Sequence, residues 1–194
     1  NSKVCIAGST WPKDETLIVE LVKLYPQWRF IIAPHEISQE KISSLEKLLE
    51  RDFLRYSDFL KLENAGNGKP EILRTDGQTP NSKPQILIID NIGMLSSLYQ
   101  YGHIAYIGGG FGGGIHNTLE AAAFGLPIMF GPNYKKFQEA KDLISQGGAK
   151  SISNLIQLQK AFEYFALHQE AGEICSYYVQ QNTGATEKII KIIN

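Results

Sequence analysis

The residues best suited to chemistry in this sequence fall in one stretch, Tyr106-Ile107-Gly108-Gly109-Gly110-Phe111-Gly112-Gly113-Gly114-Ile115-His116-Asn117-Thr118-Leu119-Glu120-Ala121-Ala122-Ala123. Six glycines stand within seven residues, between an apolar run at Ile104 to Ile107 and an Ala-rich segment predicted to be helical from near His116. Glycine permits positive φ and lets a ligand approach the backbone closely, and the first N–H groups of a helix have no intrahelical partners. A strand, a glycine loop and a helix N-terminus in that order suit an anion such as phosphate. Glu120 would repel phosphate but can accept from both hydroxyls of a ribose, so loop and Glu together point to a nucleotide. The bland alternative is a tight turn followed by an ordinary first-turn acid favoured by the helix dipole, because a glycine-rich loop alone is a weak motif. The spacing departs from the dinucleotide and P-loop fingerprints: no Lys-Ser or Lys-Thr follows the glycines, and the loop lies late in the chain.

Other polar residues gather by position. Asn117 and Glu120 lie three apart on the predicted opening turn, so both can face one crevice, although Asn117 also suits a plain N-cap. His116 either lines the phosphate site or packs against the loop. Ser9 and Thr10, after the first apolar run, can donate to an anion or simply cap the next helix. His35 sits in a predicted strand-end loop and reads as a site residue, whereas His103 and His168 have no partner pattern and read as scaffold. Lys135 and Lys136 near a helix start oppose the dipole preference, a weak hint of an anionic ligand beside the commoner reading of a solvated pair.

The elements that must position these residues alternate. Val4 to Ala7 is a short apolar run ending at Gly8-Ser9-Thr10, and Leu17, Ile18, Leu21, Val22 and Leu24 then follow helical spacing. Phe30 to Ala33, stopped by Pro34-His35-Glu36, and a helical pattern from Ile37 to Leu49 repeat that unit. A short strand is predicted near Phe53 to Tyr56. Residues 64–84 carry loop composition, with one short strand predicted at Glu71 to Leu73. Gln85 to Ile89 reads as a strand ending in Asp90-Asn91-Ile92-Gly93, with a helix from Met94 to Tyr101. After the glycine loop come strands at Pro127 to Phe130 and Ala149 to Ile152, and helices near 136–146, 155–168 and 170–193. This alternation predicts an α/β fold, a Rossmann-like parallel sheet with helices on both faces. Ligands in such sheets sit outside the carboxyl ends of the strands, where Ser9, Thr10, His35, Asp90, the glycine loop and Asn133 all fall.

Composition narrows the function classes. With 194 residues, 43% hydrophobic, the chain can bury a full core and reads as one domain over residues 1–194. Nineteen basic against 20 acidic residues leave a net charge of −1, which gives no electrostatic case for nucleic acid. Cys5 and Cys175, far apart, imply neither a disulfide framework nor a zinc site, so a reducing compartment is favoured. No run of about 18 apolar residues offers a membrane span. The sequence starts with Asn1 and enters a strand within three residues, so it is expected to be an excised domain of a longer protein.

Gly8-Ser9-Thr10, Pro34-His35, Asp90-x-x-Gly93, the loop through Gly113-Gly114-Ile115-His116-Asn117-Thr118-Leu119-Glu120-x-Ala122, and Gly131-Pro132 together resemble the C-terminal half of Kdo transferase, the 3-deoxy-D-manno-oct-2-ulosonic acid transferase of lipopolysaccharide synthesis. The resemblance runs from about Val4 to Gly148. It is most specific where the family pattern Gly-Gly-His-Asn-Pro-Leu-Glu meets Gly-Ile-His-Asn-Thr-Leu-Glu here. It implies the C-terminal half of a two-domain GT-B glycosyltransferase that takes CMP-Kdo as donor substrate and a lipid A precursor as acceptor, inverting the anomeric carbon with no metal ion and no cofactor. The implied donor-binding set is Gly8, Ser9, Thr10, Pro34, His35, Asp90, Gly93, Gly113, Gly114, His116, Asn117 and Glu120. No catalytic residue is implied within this chain. The base, the acceptor surface and the membrane attachment belong to an N-terminal domain outside it, and the full-length protein is expected at the cytoplasmic face of the inner membrane of a Gram-negative bacterium. Two positions depart from the family. Pro34-His35-Glu36 replaces Pro-Arg-His, so an arginine that could neutralise phosphate is missing or supplied elsewhere. Asp90-Asn91-Ile92-Gly93-Met94 replaces Asp-Thr-x-Gly-Glu, which loses a carboxylate.

Two other readings keep part of this picture. Another GT-B protein, such as a UDP-sugar transferase or UDP-sugar 2-epimerase, also carries a glycine loop and a ribose-binding Glu. A non-catalytic nucleotide- or partner-binding α/β module would need nothing beyond this chain.

Overall fold

A computed structural model describes residues 2–49, 53–64 and 84–193. Its elements alternate in chain order: β1 (Val4–Thr10), α1 (Pro12–Leu24), β2 (Arg29–Pro34), α2 (Gln39–Leu49), β3 (Phe53–Arg55), α3 (Tyr56–Asn64), β4 (Ile86–Ile88), α4 (Leu95–Leu98), β5 (Ile104–Ile107), α5 (Leu119–Ala123), β6 (Ile128–Phe130), α6 (Gln138–Gln146), β7 (Ala149–Ser151), α7 (Leu155–Leu167), α8 (Glu170–Gln181) and α9 (Ala185–Ile193). A 3-10 turn at Tyr99–Tyr101 extends α4. The strand expected at Glu71 to Leu73 lies outside the described residues.

The seven strands form one sheet in the order β3-β4-β2-β1-β5-β6-β7, and every pairing is parallel. Parallel strands need crossover helices, which cover both faces and explain why the central strands are apolar without alternation. Side chains still divide by the two-residue period of a strand. Cys5, Ala7, Ile104, Tyr106 and Met129 enter one core with α1, α2 and α7. Ile6, Ala105, Ile107, Ile128 and Phe130 enter the other, with Tyr99, Ala121, Ala122, Leu143 and Cys175.

The topology fixes where a ligand can sit. β1 is followed by α1 and β2 on one side, whereas its neighbour β5 is followed by α5 and β6 on the other. The two connections diverge and leave a crevice at the carboxyl ends of β1 and β5, the switch point of a parallel sheet.

Several boundaries differ from the sequence pattern. β1 continues through Ser9 and Thr10 and pairs with β2 as far as Pro34. α5 begins at Leu119, not near His116, and ends after five residues. The C-terminal helical pattern breaks into α8 and α9 at Asn182-Thr183-Gly184, where Gly184 takes a φ of 91°. Cys5 and Cys175 are buried free thiols. No helix among the described residues is long and apolar enough to cross a membrane.

Candidate functional site

The glycine loop leaves β5 pressed against the end of β1. Gly108 N–H donates to the Gly8 carbonyl at 2.9 Å, and a Cβ on Gly108 would overlap the Ser9 carbonyl. Ser9 has a φ of 53° and is the only non-glycine residue with positive φ among the described residues, a conformation that costs an L-residue about 1 kcal/mol or more. Further along, a Cβ on Gly110 would lie 2.7 Å from the Gly131 backbone, and Asn133 ties the loop down through N–H to Gly110 O at 2.9 Å and Nδ2 to Gly112 O at 2.8 Å. Glycine is required at 108 and 110 because backbone meets backbone there.

Asp14 joins the loop to α1. It is fully buried, and its carboxylate accepts from Tyr106 OH at 2.7 Å, Gly109 N–H at 2.9 Å and Trp11 N–H at 2.9 Å. Burial and the adjacent Asp14 charge push the Tyr106 hydroxyl pKa up. These bonds correct the capping role left open for Ser9 and Thr10: Trp11 is the N-cap, and Asp14, three residues on, reaches back to its N–H. Thr10, also buried, donates to Glu15 Oε1 at 3.1 Å, and burial raises the Glu15 pKa.

Three rings close the crevice. His35 stacks on Trp11 with centroids 4.8 Å apart and on His116 at 4.3 Å, and Trp11 Nε1 donates to His116 Nε2 at 3.1 Å. Burial first, and then the neighbouring His35, lower the His116 pKa against the opposing pull of Asp14. His116 N–H is itself held by Gly108 O at 3.1 Å.

A cavity of about 500 Å³ opens here, lined by Trp11, Lys13, Asp14, Phe111, His116 and the loop glycines 109 and 112–114. Lys13 places its ammonium 4.9 Å from the centre of the Phe111 ring. Of the residues singled out from sequence, Gly113, Gly114 and His116 line the cavity and His35 backs it. Gly8 and Ser9 support it from behind the loop, and Pro34 ends β2 where His35 N–H reaches Thr10 O at 2.9 Å. Asn117 and Glu120 stand apart from this lining, joined to each other at 2.9 Å. Asp90 is occupied elsewhere, accepting from Ser57 N–H at 2.9 Å and Ser57 Oγ at 2.5 Å at the start of α3, and Gly93 is an exposed turn glycine with φ 92°. Lys135 and Lys136 are exposed, two residues or more before α6.

The helix-terminus part of the anion argument is corrected. α5 is little more than one turn, and Leu119 N–H is already taken by Asn117 Oδ1 at 3.0 Å. What lines the cavity on this side is the loop at Gly109 and Gly112 to Gly114, with the Lys13 ammonium over the loop's Phe111 ring. Among the described residues no cluster of His, Cys, Asp or Glu is arranged to hold a metal ion. Trp11 and Asp14 were not singled out from sequence as site residues. The available signal was that Asp14 falls four residues before Ile18, on the buried stripe of α1 with Leu21 and Val22.

No family model matches the sequence. The chain is 25% identical over 189 residues to a 3-deoxy-D-manno-octulosonic acid transferase of Aquifex aeolicus, a match covering 91% of this chain and 47% of that protein. The chain is thus similar over most of its length to Kdo transferases. A bifunctional glycosyltransferase/methyltransferase of Fusobacterium nucleatum is also 25% identical, over 97% of this chain and 28% of its own length. The chain spans less than half the length of these two curated relatives. Among solved structures, the C-terminal CMP-Kdo binding domain of WaaA from Acinetobacter baumannii superposes with a TM-score of 0.72 at 22% identity, covering 94% of this chain and 91% of that one. The expected architecture holds: the chain has the Rossmann-like fold found in GT-B glycosyltransferases.

Proposed function

We propose that residues 1–194 form the donor-binding domain of a Kdo transferase, and that the full-length protein moves Kdo from CMP-Kdo to a lipid A precursor in lipopolysaccharide synthesis at the cytoplasmic face of the inner membrane. The observation that carries the reading is the glycine-walled cavity at the β1/β5 switch point, in a chain whose sequence relatives are Kdo transferases. The leaving CMP phosphate sits against the loop backbone at Gly112, Gly113 and Gly114, with Lys13 providing the positive charge that the family's arginine would otherwise bring. Preorganised donors of this kind stabilise charge as it develops on a leaving group. Asp14 does not oppose the phosphate directly, because its oxygens are engaged by three N–H and O–H donors. Glu120 takes a ribose hydroxyl, with Asn117 holding one of its oxygens. CMP-Kdo is a substrate, so no cofactor enters, and the base for the acceptor hydroxyl comes from the remainder of the protein together with membrane attachment.

Calorimetric titration of the chain with CMP, and with UMP, UDP and GDP for comparison, tests this reading. Selective CMP binding that weakens about tenfold or more in Glu120→Ala is expected, the loss of one hydrogen bond to a charged group. Preference for a uridine nucleotide would move the assignment to a UDP-sugar enzyme of the same fold. If the isolated domain binds none of them, the same titration on the full-length protein decides.

A further inference from the structure

We propose that Trp11 is a positioning residue that holds His116 in the neutral tautomer with its proton on Nδ1, leaving that N–H as a donor at the open edge of the ring. The argument rests first on the direction of one hydrogen bond. The indole N–H is a donor only, so at 3.1 Å from His116 Nε2 it requires a lone pair on that nitrogen. The remaining proton of a neutral imidazole is then on Nδ1. The ring's orientation agrees. The Cδ2–Nε2 edge faces the glycine loop, where a Cβ on Gly109 would meet Cδ2 at 2.9 Å and Nε2 at 3.2 Å. The Nδ1 edge is therefore on the opposite side. Nδ1 has no acceptor among the described residues, and it is not one of the sealed polar atoms, which are Asn91 Oδ1 and Thr118 Oγ1.

The stack makes this arrangement stiff. His35 lies face to face with both rings, so His116 cannot turn over without disturbing two contacts. Protonation of Nε2 would set two N–H groups against each other. The charged and titratable groups around His116 are His35 from the end of β2 and Lys13 and Asp14 from α1, of which only Asp14 favours the cation. On the nucleotide reading above, on which this inference rests for its ligand, Nδ1–H meets an acceptor oxygen of the donor as a neutral group.

Nitrogen-15 NMR of the labelled chain reads the tautomer with no ligand present. The expected wild-type spectrum has His116 protonated on Nδ1 at pH 7.5 and titrating below 6.5. Trp11→Phe keeps a ring on His35 and removes only the donor. Its His116 is expected to move its proton to Nε2, to titrate closer to 6.5, and to bind CMP about tenfold more weakly, as a misplaced imidazole proton removes a hydrogen bond to a charged group. An Nε2–H tautomer in the wild-type spectrum overturns the proposal without any variant. An unchanged tautomer in Trp11→Phe overturns it too, as does a switched tautomer with undiminished CMP affinity. Failure of the wild-type chain and the full-length protein to bind CMP counts against the nucleotide reading alone, because the tautomer is read independently.

Discussion

The two walls of the crevice are built on opposite plans. The β1–α1 wall is made of side chains: Trp11 is the N-cap of a 13-residue helix, Lys13, Asp14 and Glu15 stand on its first turn, and both carboxylates are buried. The β5–α5 wall is made mainly of backbone: glycines 108–110 and 112–114 supply peptide groups, with Phe111 and His116 as its cavity-lining side chains, before a five-residue helix. A long helix fixes side-chain directions, so polar groups there can be placed and saturated. A glycine loop has many conformations of its own and loses much entropy on folding. It must be held from outside: Asn133 holds it at Gly110 and Gly112, and Asp14 spans both walls with one carboxylate.

Removing that link should produce the largest effect. Asp14→Ala leaves the Tyr106 hydroxyl and the N–H groups of Gly109 and Trp11 without their acceptor in a buried place, at a cost of about 3–5 kcal/mol in urea unfolding. A loss below about 1 kcal/mol would mean that the loop holds itself. Next in size is the test of the backbone wall. Gly110→Ala drives a Cβ to 2.7 Å from the Gly131 backbone and should cost about 2–3 kcal/mol, whereas Gly113→Ala meets nothing within 4 Å and should stay within about 0.5 kcal/mol of wild type. Equal effects at the two positions would refute the claim that the loop is shaped by backbone contact. Tyr106→Phe, which takes away one of Asp14's three donors and leaves the others, should cost about 1 kcal/mol by the same measurement.

How much of this was legible in the sequence follows the same division. Strands and helices were readable because apolar runs and helical spacing are local, and the parallel sheet follows from their alternation. The glycine loop announced itself by composition. Asp14 did not: it looks like an ordinary first-turn acid, and its partners Tyr106 and Gly109 lie 92 and 95 residues away. Trp11 likewise finds His116 across 105 residues. The start of α5 was placed too early because His116, Asn117 and Thr118 sit beside an alanine run, yet His116 N–H is drawn off to Gly108 O and Asn117 caps from outside. Asp90 read as a ligand group from its place after a strand, a place that serves equally for holding Ser57. Long-range pairing decided Asp14, Trp11 and Asp90, and local hydrogen bonds decided the start of α5.

The smallest expected effect is a pH dependence that separates the walls by sign. Burial lowers the pKa of His116 in the crevice and, with help from Lys3, that of His103, whose Nδ1 accepts from Val4 N–H at 3.2 Å. As each is depressed below 6.5 on folding, the unfolded chain binds more protons around that pH. The stability they contribute is present above 6.5 and is lost as pH falls through the folded values. Glu15 works the other way: its pKa is raised above 4.5 by burial, so its contribution is present below 4.5 and lost as pH rises through the folded value. Unfolding midpoints measured from pH 7.5 down to 5.5 should therefore fall in wild type. His103→Gln should remove part of that slope, and Trp11→Phe in the same background should reduce what remains by freeing His116 Nε2 to take a proton, with the part due to burial left in place. Glu15→Gln should steepen the fall, because it deletes the one opposing group on the side-chain wall. A profile unchanged by Trp11→Phe would show that His116 is held neutral by burial alone and not by the indole across the crevice.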